Sequence, residues 1–489
     1  MKPMRLSEIA RMAGGQLHGD DVMVDAVATD TRALPPGAAL FIALKGERFD
    51  GHDHVAALAG GASAPTGLAA ALVSRTIDAA IPQIVVADTE RALAAFAAAL
   101  QRSRSGKVVA ITGSNGKTSV KTLLLSILKL IAQRDGKVAY ANPGNRNNEI
   151  GLPLVVIDAP DDADFSIYEM GAGKPGDIAY LTAIARPDVA LVNNVAPAHL
   201  ERMGSLLGVA DTKAAIYDAL PADGVAVINA DDAFAPYFAE RAHGRRILRF
   251  GLEASADIGA RDIRATEEGM RFTLVTPAGD ADIDLQLPGR HNVSNALAAA
   301  GLALGAGAPL DAISAGLAAA RSVAGRLISH RLGSGALLID DSYNANPGSL
   351  NAAIDTMADQ GGESWLVLGD MRELGADAQA LHAEAGRRAK SAGIARLYAL
   401  GALSAAAAQA FGDGAQVFKS HEALAKALEA DLRAFVGAVS APTPVVANPV
   451  GAEAPPTRLR VLVKGSRGSA MDRVVTALLP NGEGTAHAA

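Results

Sequence analysis

Short runs of β-branched and aliphatic residues recur along the chain, and each is followed by a stretch with apolar positions three and four apart. That alternation predicts strands and helices in turn. In the first hundred or so residues the strands are brief (Ala39-Leu40-Phe41-Ile42-Ala43 and Ile84-Val85-Val86), and Ala-rich helical patterns lie at 53–61 and 89–102. Strand signals follow at 108–111, 165–168, 189–192 and 224–228, with an amphipathic stretch from Val120 to about Ile131. Strands separated by helices imply a mostly parallel sheet covered on both faces. Residues 247–290 change character: strict alternation in Arg271-Phe272-Thr273-Leu274-Val275 suggests a small antiparallel addition. A second strand–helix series opens near Ser329, with strands expected at 336–340, 365–369, 396–400 and 460–463. Five prolines crowd the segment 438–457, which reads as a flexible surface insertion.

The expected fold class is therefore α/β in three domains. A small mixed α/β domain over 1–105 precedes a central domain over 106–322 with a mostly parallel sheet of P-loop type. A Rossmann-like α/β domain over 323–489 follows, carrying the insertion. The length of 489 residues fits three such units. Aromatic residues are only 4% of the chain, so the core is built from Ala, Val, Leu and Ile. A net charge of −7 leaves no basic surplus to neutralise phosphates, which argues against nucleic-acid binding. With no cysteine, disulfides, thiolate metal sites and thiol catalysis are excluded. The start of the chain has no apolar leader-like run, and no later run approaches the ~18 apolar residues of a membrane span. A cytoplasmic chain is expected.

The most informative segment is Val108–Val120, VVAITGSNGKTSV. A strand breaks into a glycine loop that opens a helix, so backbone N–H groups and a helix N-terminus face one point; that arrangement cradles phosphates. Gly113, Ser114, Asn115, Gly116, Lys117, Thr118 and Ser119 form the loop, with Lys117 placed for the β/γ-phosphates and the Thr118 hydroxyl for Mg²⁺. The loop is tighter than the common phosphate-binding pattern, since Ile111 stands where that pattern has its first glycine. Other polar loops fall at strand ends, where open α/β sheets bind ligands. They include Asn142–Gly151 (NPGNRNNEIG), Glu169 in YEMGAG, and His199 in NNVAPAHLERMG. Near the start of the chain, Thr31-Arg32, Lys45-Gly46 and Asp50-Gly51-His52 sit on turns between short strands.

Eight segments in order (TGSNGKTS, NRNNEIGLPL, EMGAGKPGDI, NVAPAHL, GRHNVSNALAA, DDSYNANP, LGDMRELG and LVKGSR) make nearly the whole chain similar to the Mur ligase family of ATP-dependent peptide-bond-forming enzymes. The resemblance implies transfer of the ATP γ-phosphoryl group to a substrate carboxylate, followed by attack of an amine on the acyl phosphate. It implies Mg²⁺ at Thr118 and Glu169 and a second Mg²⁺ near His199. Lys213 matches a lysine that these ligases can carry as a CO₂-derived carbamate, although the family's usual Lys-Gly-Glu is Lys213-Ala214-Ala215 here. Asn292 and Asn295 correspond to adenine-side contacts, while helix N-capping by Asn292 explains the same residue without a ligand. Arg326 matches an arginine that reaches the phosphates when domains close. Asp341 matches a ribose contact, in a loop shared with Tyr343, Asn344 and Asn346. His382 sits on a helix and reads as structural.

Thr31, Arg32, Lys45, Gly46, Asp50, Gly51 and His52, with Asn147 and Asn148, resemble the family's UDP-substrate side. The last-domain motifs LGDMRELG and DDSYNANP match the dipeptide-adding member, and the DNPR signature of the diaminopimelate-adding member is absent. The implied substrates are ATP, UDP-N-acetylmuramoyl-tripeptide and D-alanyl-D-alanine, handled by a monomer. Alternatives are the diaminopimelate- or lysine-adding tripeptide synthetase, a folylpolyglutamate-type synthase, and a P-loop ATPase that drives binding or movement.

Overall fold

The computed structural model describes residues 1–59, 68–197, 200–266, 268–439 and 459–479. At its centre is the strand Lys107–Thr112, the product of the β-branched run ahead of the glycine loop. It lies inside a six-stranded, all-parallel sheet, between Val189–Val192 on one side and Phe165–Glu169 on the other. Val225–Asn229 and Arg246–Phe250 extend the sheet on one side and Ala139–Ala141 on the other. Strand order thus reverses at Lys107–Thr112, and the crevice beyond its carboxyl end is where an open α/β sheet takes a ligand.

Alternate residues of this strand enter opposite cores, as the two-residue period of a strand requires. Val109 and Ile111 pack with the helices Lys117–Asp135 and Arg290–Gly305, while Val108 and Ala110 face Gly151–Asp158 and Asp177–Ala185. A parallel sheet buried on both faces needs apolar residues throughout, hence the uninterrupted runs in the sequence. The second of these cores continues into the N-terminal region through the helix Thr89–Arg102, so the first hundred residues share apolar packing with the central sheet.

The N-terminal region holds a five-stranded mixed sheet, ordered Gln16–His18, Gln83–Val85, Leu68–Val73, Ala39–Ile42 and Ala26–Ala28. The antiparallel addition is the three-stranded sheet Gly259–Ala265, Met270–Thr276 and Gly279–Leu285. It begins later than the expected 247, because Arg246–Phe250 pairs in parallel at the edge of the central sheet. In the C-terminal region Ile328–Arg331 runs antiparallel to Leu337–Asp341. The parallel strands Leu459–Lys464, Glu363–Gly369, Arg396–Leu400 and Ala415–Phe418 follow in that order. Ala415–Phe418 is a half-exposed edge strand whose mixed composition carries no apolar run, so the hydrophobic pattern did not predict it.

The helix His421–Val439 takes up the first two residues of the expected insertion at 438–457, and the remainder lies outside the described residues. Among the described residues no helix is long and apolar enough to cross a membrane.

Candidate active site

A cavity of about 730 Å³ opens at the strand-order reversal, between the central sheet and the C-terminal region. Its wall includes every residue expected at the ATP side: Gly113 to Ser119, Asn292, Asn295, Arg326, Asp341, Tyr343 and Asn346. Glu169, Lys213, Asn147 and Asn148 line it as well. His199 lies outside the described residues.

The glycine loop is fixed by amides rather than by its own length. Gly116, at φ +78°, precedes the helix Lys117–Asp135, and a Cβ there would meet the Asn193 and Asn295 side-chain amides at 2.4 and 2.5 Å. Asn193 Nδ2 donates to the Asn115 carbonyl at 3.0 Å, and Asn115 N–H donates to Asn194 Oδ1 at 2.8 Å. Asn295 accepts from Asn193 at 3.2 Å and donates to Asn292 Oδ1 at 3.2 Å, so the pair expected at the adenine braces the phosphate loop from behind. Asn292 is not the helix cap: Gly289 occupies that position, and Asn292 Nδ2 donates to the Pro288 carbonyl at 2.7 Å. Asn193 and Asn194, missed in the sequence, announce themselves only as a pair of amides just after the strand Val189–Val192.

Beside the loop lies a concentrated set of charges. Glu169 is 2% exposed; its Oε2 accepts from the Thr118 hydroxyl at 2.9 Å and its Oε1 from Asn147 Nδ2 at 2.8 Å. Burial alone would raise its pKa, yet Lys121, Lys117 and Arg326 outweigh that and keep it ionised below the ordinary carboxylate value. Lys121 is a further residue that the sequence reading missed. One turn beyond Lys117 on the same helix, it is buried with its ammonium 3.3 Å from Glu169 Oε2. It also donates to the Asn142 and Gly144 carbonyls at 2.9 Å each, which ties the amide-rich loop to the carboxylate. Lys117 Nζ turns back to the Gly113 carbonyl at 2.7 Å.

The C-terminal region reaches this cluster directly. Arg326 Nη2 donates to Thr118 Oγ1 at 2.9 Å, and its guanidinium stacks 4.4 Å from the Tyr343 ring centre. Asn346 caps the helix Pro347–Asp359 with its carbonyl oxygen, while its amide donates to Asn115 Oδ1 at 2.7 Å. Asp341 is paired with the Lys464 ammonium, which also donates to the Asn344 carbonyl at 3.1 Å. Burial pushes the Asp341 carboxyl up despite that partner. Lys213 differs from the other cations. It is 3% exposed on the helix Leu206–Asp218 and makes no hydrogen bond or ion pair among the described residues; burial, then Lys117, brings its pKa down to about 7.

The residues expected at the UDP side divide between this cavity and the N-terminal turns. Asn147 and Asn148 belong to the cavity, whereas Thr31, Arg32, Lys45, Gly46, Asp50, Gly51 and His52 do not line it. Arg32 is drawn to Asp30 at 2.6 Å. Lys45 and Asp50 face each other in a tight β-bridge, closed by Gly46 N–H to the Phe49 carbonyl. His52 is a buried pin with both ring nitrogens engaged. Its Nε2 accepts from Ser74 N–H at 2.8 Å, so Nδ1–H donates to Asp50 at 2.5 Å. That contact and the His52 backbone N–H hold the Asp50 carboxyl down at about 2. His382 is likewise structural: it is buried, its Nε2 accepts from Met371 N–H, and its other ring nitrogen meets the Ala378 carbonyl.

The Mur ligase middle domain matches residues 111–303, and the Mur ligase glutamate ligase domain matches 325–438. The chain belongs to the Mur ligase family. UDP-N-acetylmuramoyl-tripeptide–D-alanyl-D-alanine ligase of Escherichia coli is 43% identical over 484 residues, spanning 99% of this chain and 100% of that protein. Its counterpart in Haemophilus influenzae is 40% identical over 78% of this chain and 81% of its own length. Among solved structures, MurF from Acinetobacter baumannii superposes with a TM-score of 0.87 at 31% identity, covering 98% of this chain and 99% of that one. MurF ligase from Thermotoga maritima in complex with ADP gives 0.77 at 26% identity, covering 93% and 97%. For this Mur ligase the cavity is thus where a nucleotide is expected, and its wall is drawn from both matched domains.

Proposed function

We propose that this Mur ligase adds D-alanyl-D-alanine to UDP-N-acetylmuramoyl-tripeptide with ATP as the activating substrate, giving the UDP-N-acetylmuramoyl-pentapeptide of peptidoglycan synthesis. The observation that carries the reading is full-length identity of 43% to an enzyme of that name, combined with a cavity that gathers Lys117, Arg326, Thr118 and Glu169 at one glycine loop.

In the first step the acceptor carboxylate attacks the γ-phosphorus of ATP; the bond to the bridging oxygen breaks and ADP leaves. In the second the neutral amine of the dipeptide adds to the acyl-phosphate carbonyl. The tetrahedral intermediate expels inorganic phosphate, and the nitrogen loses one proton to solvent. Negative charge accumulates on the transferring group, and fixed cations are what a protein can offer it. Lys117 and Arg326 are those cations, held in place by the carbonyl of Gly113 and by Thr118. Mg²⁺ would be held by Thr118 and Glu169, a donor set suited to an ion that keeps water and phosphate oxygens as its other ligands; it would neutralise phosphate charge. Arg326 occupies the Thr118 hydroxyl in this structure and has to yield it when that oxygen ligates. Lys213 suits carbamate formation, because a buried amine with no partner among the described residues and a pKa brought down to about 7 reacts with CO₂ as the free base and becomes an anion; His199 would join it at a second metal.

The domain limits 1–105, 106–322 and 323–489 belong to the same reading: substrate capture, ATP binding, and closure with dipeptide delivery. So do a monomer, which the family resemblance suggests, and a cytoplasmic setting, where ATP and a UDP-linked acceptor are available. The test is phosphate release with ATP, Mg²⁺, acceptor and dipeptide, each omitted in turn, with mass analysis of the product. Release that requires all four and yields the pentapeptide supports the reading. Release without the dipeptide makes the chain an ATPase, and turnover with diaminopimelate and the UDP-dipeptide makes it the tripeptide synthetase.

A further inference from the structure

Tyr180, on the helix Asp177–Ala185, lines the active-site cavity, yet its hydroxyl is shielded from solvent and has no hydrogen-bond partner among the described residues. A buried hydroxyl left unpaired costs free energy, and such groups are satisfied in working proteins. Other tyrosines in this chain follow that rule: Tyr168 donates to Gln101, Tyr217 to the Val227 carbonyl, and Tyr140 to the Val155 carbonyl.

The place of Tyr180 suggests what satisfies it. On one side are Asn147 to Glu149 and the loop Gly171–Lys174, which leaves the strand bearing Glu169. On the other is the N-terminal helix Thr89–Arg102, whose Asp88 and Glu90 are electrostatic neighbours of the Tyr180 ring. That helix begins at Thr89, which donates to the Ala43 carbonyl at 2.9 Å, just ahead of the Lys45–Asp50 bridge. Tyr180 therefore stands between the phosphate loop and the N-terminal turns that resemble a UDP-binding side. An acceptor anchored by UDP at those turns and reacting through its carboxylate at the glycine loop must pass this point with its peptide arm.

Resting on the function proposed above, we infer that the Tyr180 hydroxyl hydrogen-bonds the peptide arm of the acceptor and contributes to its selection. The hydroxyl can donate to a peptide carbonyl or a carboxylate, and accept from an amide or ammonium group; the peptide arm presents all of these.

The test compares the full-length wild-type enzyme with Tyr180→Phe, by calorimetric binding of UDP-N-acetylmuramoyl-tripeptide, of UDP alone and of ATP, alongside steady-state kinetics. The expected result is a roughly 2- to 13-fold loss of acceptor affinity, the loss typical of one hydrogen bond. Affinity for UDP and for ATP should stay unchanged, and the melting temperature of the ligand-free variant should be equal or higher, since an unsatisfied hydroxyl has been removed. Unchanged acceptor affinity would overturn the inference and leave the hydroxyl to internal water. An equal loss for UDP alone would overturn it by moving the contact to the nucleotide. A fall in ligand-free stability with losses for every ligand would overturn it as a packing effect. Wild-type enzyme that binds ATP but no acceptor would overturn the proposed function, and this inference with it.

Discussion

Lys213 offers the sharpest conflict between stability and function in the chain. Its amine is buried, unpartnered among the described residues and near Lys117, with its pKa brought down to about 7 from an ordinary 10.5. At 1.36 kcal/mol per pH unit, charging it in the folded state costs about 5 kcal/mol relative to the unfolded chain. The sign follows from proton counts. Below about pH 7 both states carry the charge and the whole penalty applies. Between about 7 and 10.5 the folded amine is neutral while the unfolded one is still charged, so the penalty fades as pH rises; above that range it is gone. Lys213→Met keeps the length and apolar stem and removes the charge, so it should stabilise the protein most at low pH. At about 2–4 °C per kcal/mol for a domain of this size, the melting temperature near pH 6 should rise by roughly 10–20 °C, and the gain should shrink steadily toward about pH 10. Melting curves of both proteins in CO₂-free buffer check this, because a carbamate would itself remove the penalty. The same variant should be inactive, and a short-chain carboxylate should partly restore turnover to Lys213→Ala. A variant less stable than wild type at every pH would refute the argument, since it would mean that the amine has a partner worth more than its desolvation.

Other substitutions separate roles around the same loop. Lys117→Ala should abolish turnover while leaving the circular-dichroism spectrum unchanged, because its side chain is held by one hydrogen bond to its own loop. Lys121→Met should cost about 3–5 kcal/mol in denaturant melts, since it strips the buried Glu169 of its nearest cation and frees two carbonyls. Asn346→Ala should cost about 0.5–2 kcal/mol through the lost helix cap and should also raise the KM for ATP, because the same side chain touches Asn115.

The glycine loop and the flanking strands were legible because their signals are local: β-branched runs, glycines at a turn, and polar residues at strand ends. What was not legible depends on partners far along the chain. Lys121 is in register with Leu124 and Leu128 on the buried stripe of its helix, but the partners that let a lysine sit there, the folded loop 142–144 and Glu169, lie far along the chain. The Asn193–Asn295 contact and the Asp341–Lys464 pair join segments about a hundred residues apart, which no window of sequence reports. His52 is a further case: its motif resembles a substrate-side turn, and only the fold shows that both its ring nitrogens are engaged, by Asp50 and Ser74.

These long-range contacts also explain why the reaction can wait for its substrates. Lys117 and Glu169 lie on the central sheet's side of the cavity, but Arg326 and Asn346 reach the loop from the C-terminal region, each through one hydrogen bond. One is to the hydroxyl expected to ligate Mg²⁺, the other to a loop amide. Such contacts contribute little net free energy individually, about 1 kcal/mol each, because water replaces them when the regions part. Phosphate charge bound at the loop would offer the Arg326 guanidinium a far stronger partner than the hydroxyl it yields. On the function proposed above, bound ATP would draw Arg326 toward the loop and favour closure, and closure would exclude the water that destroys an acyl phosphate.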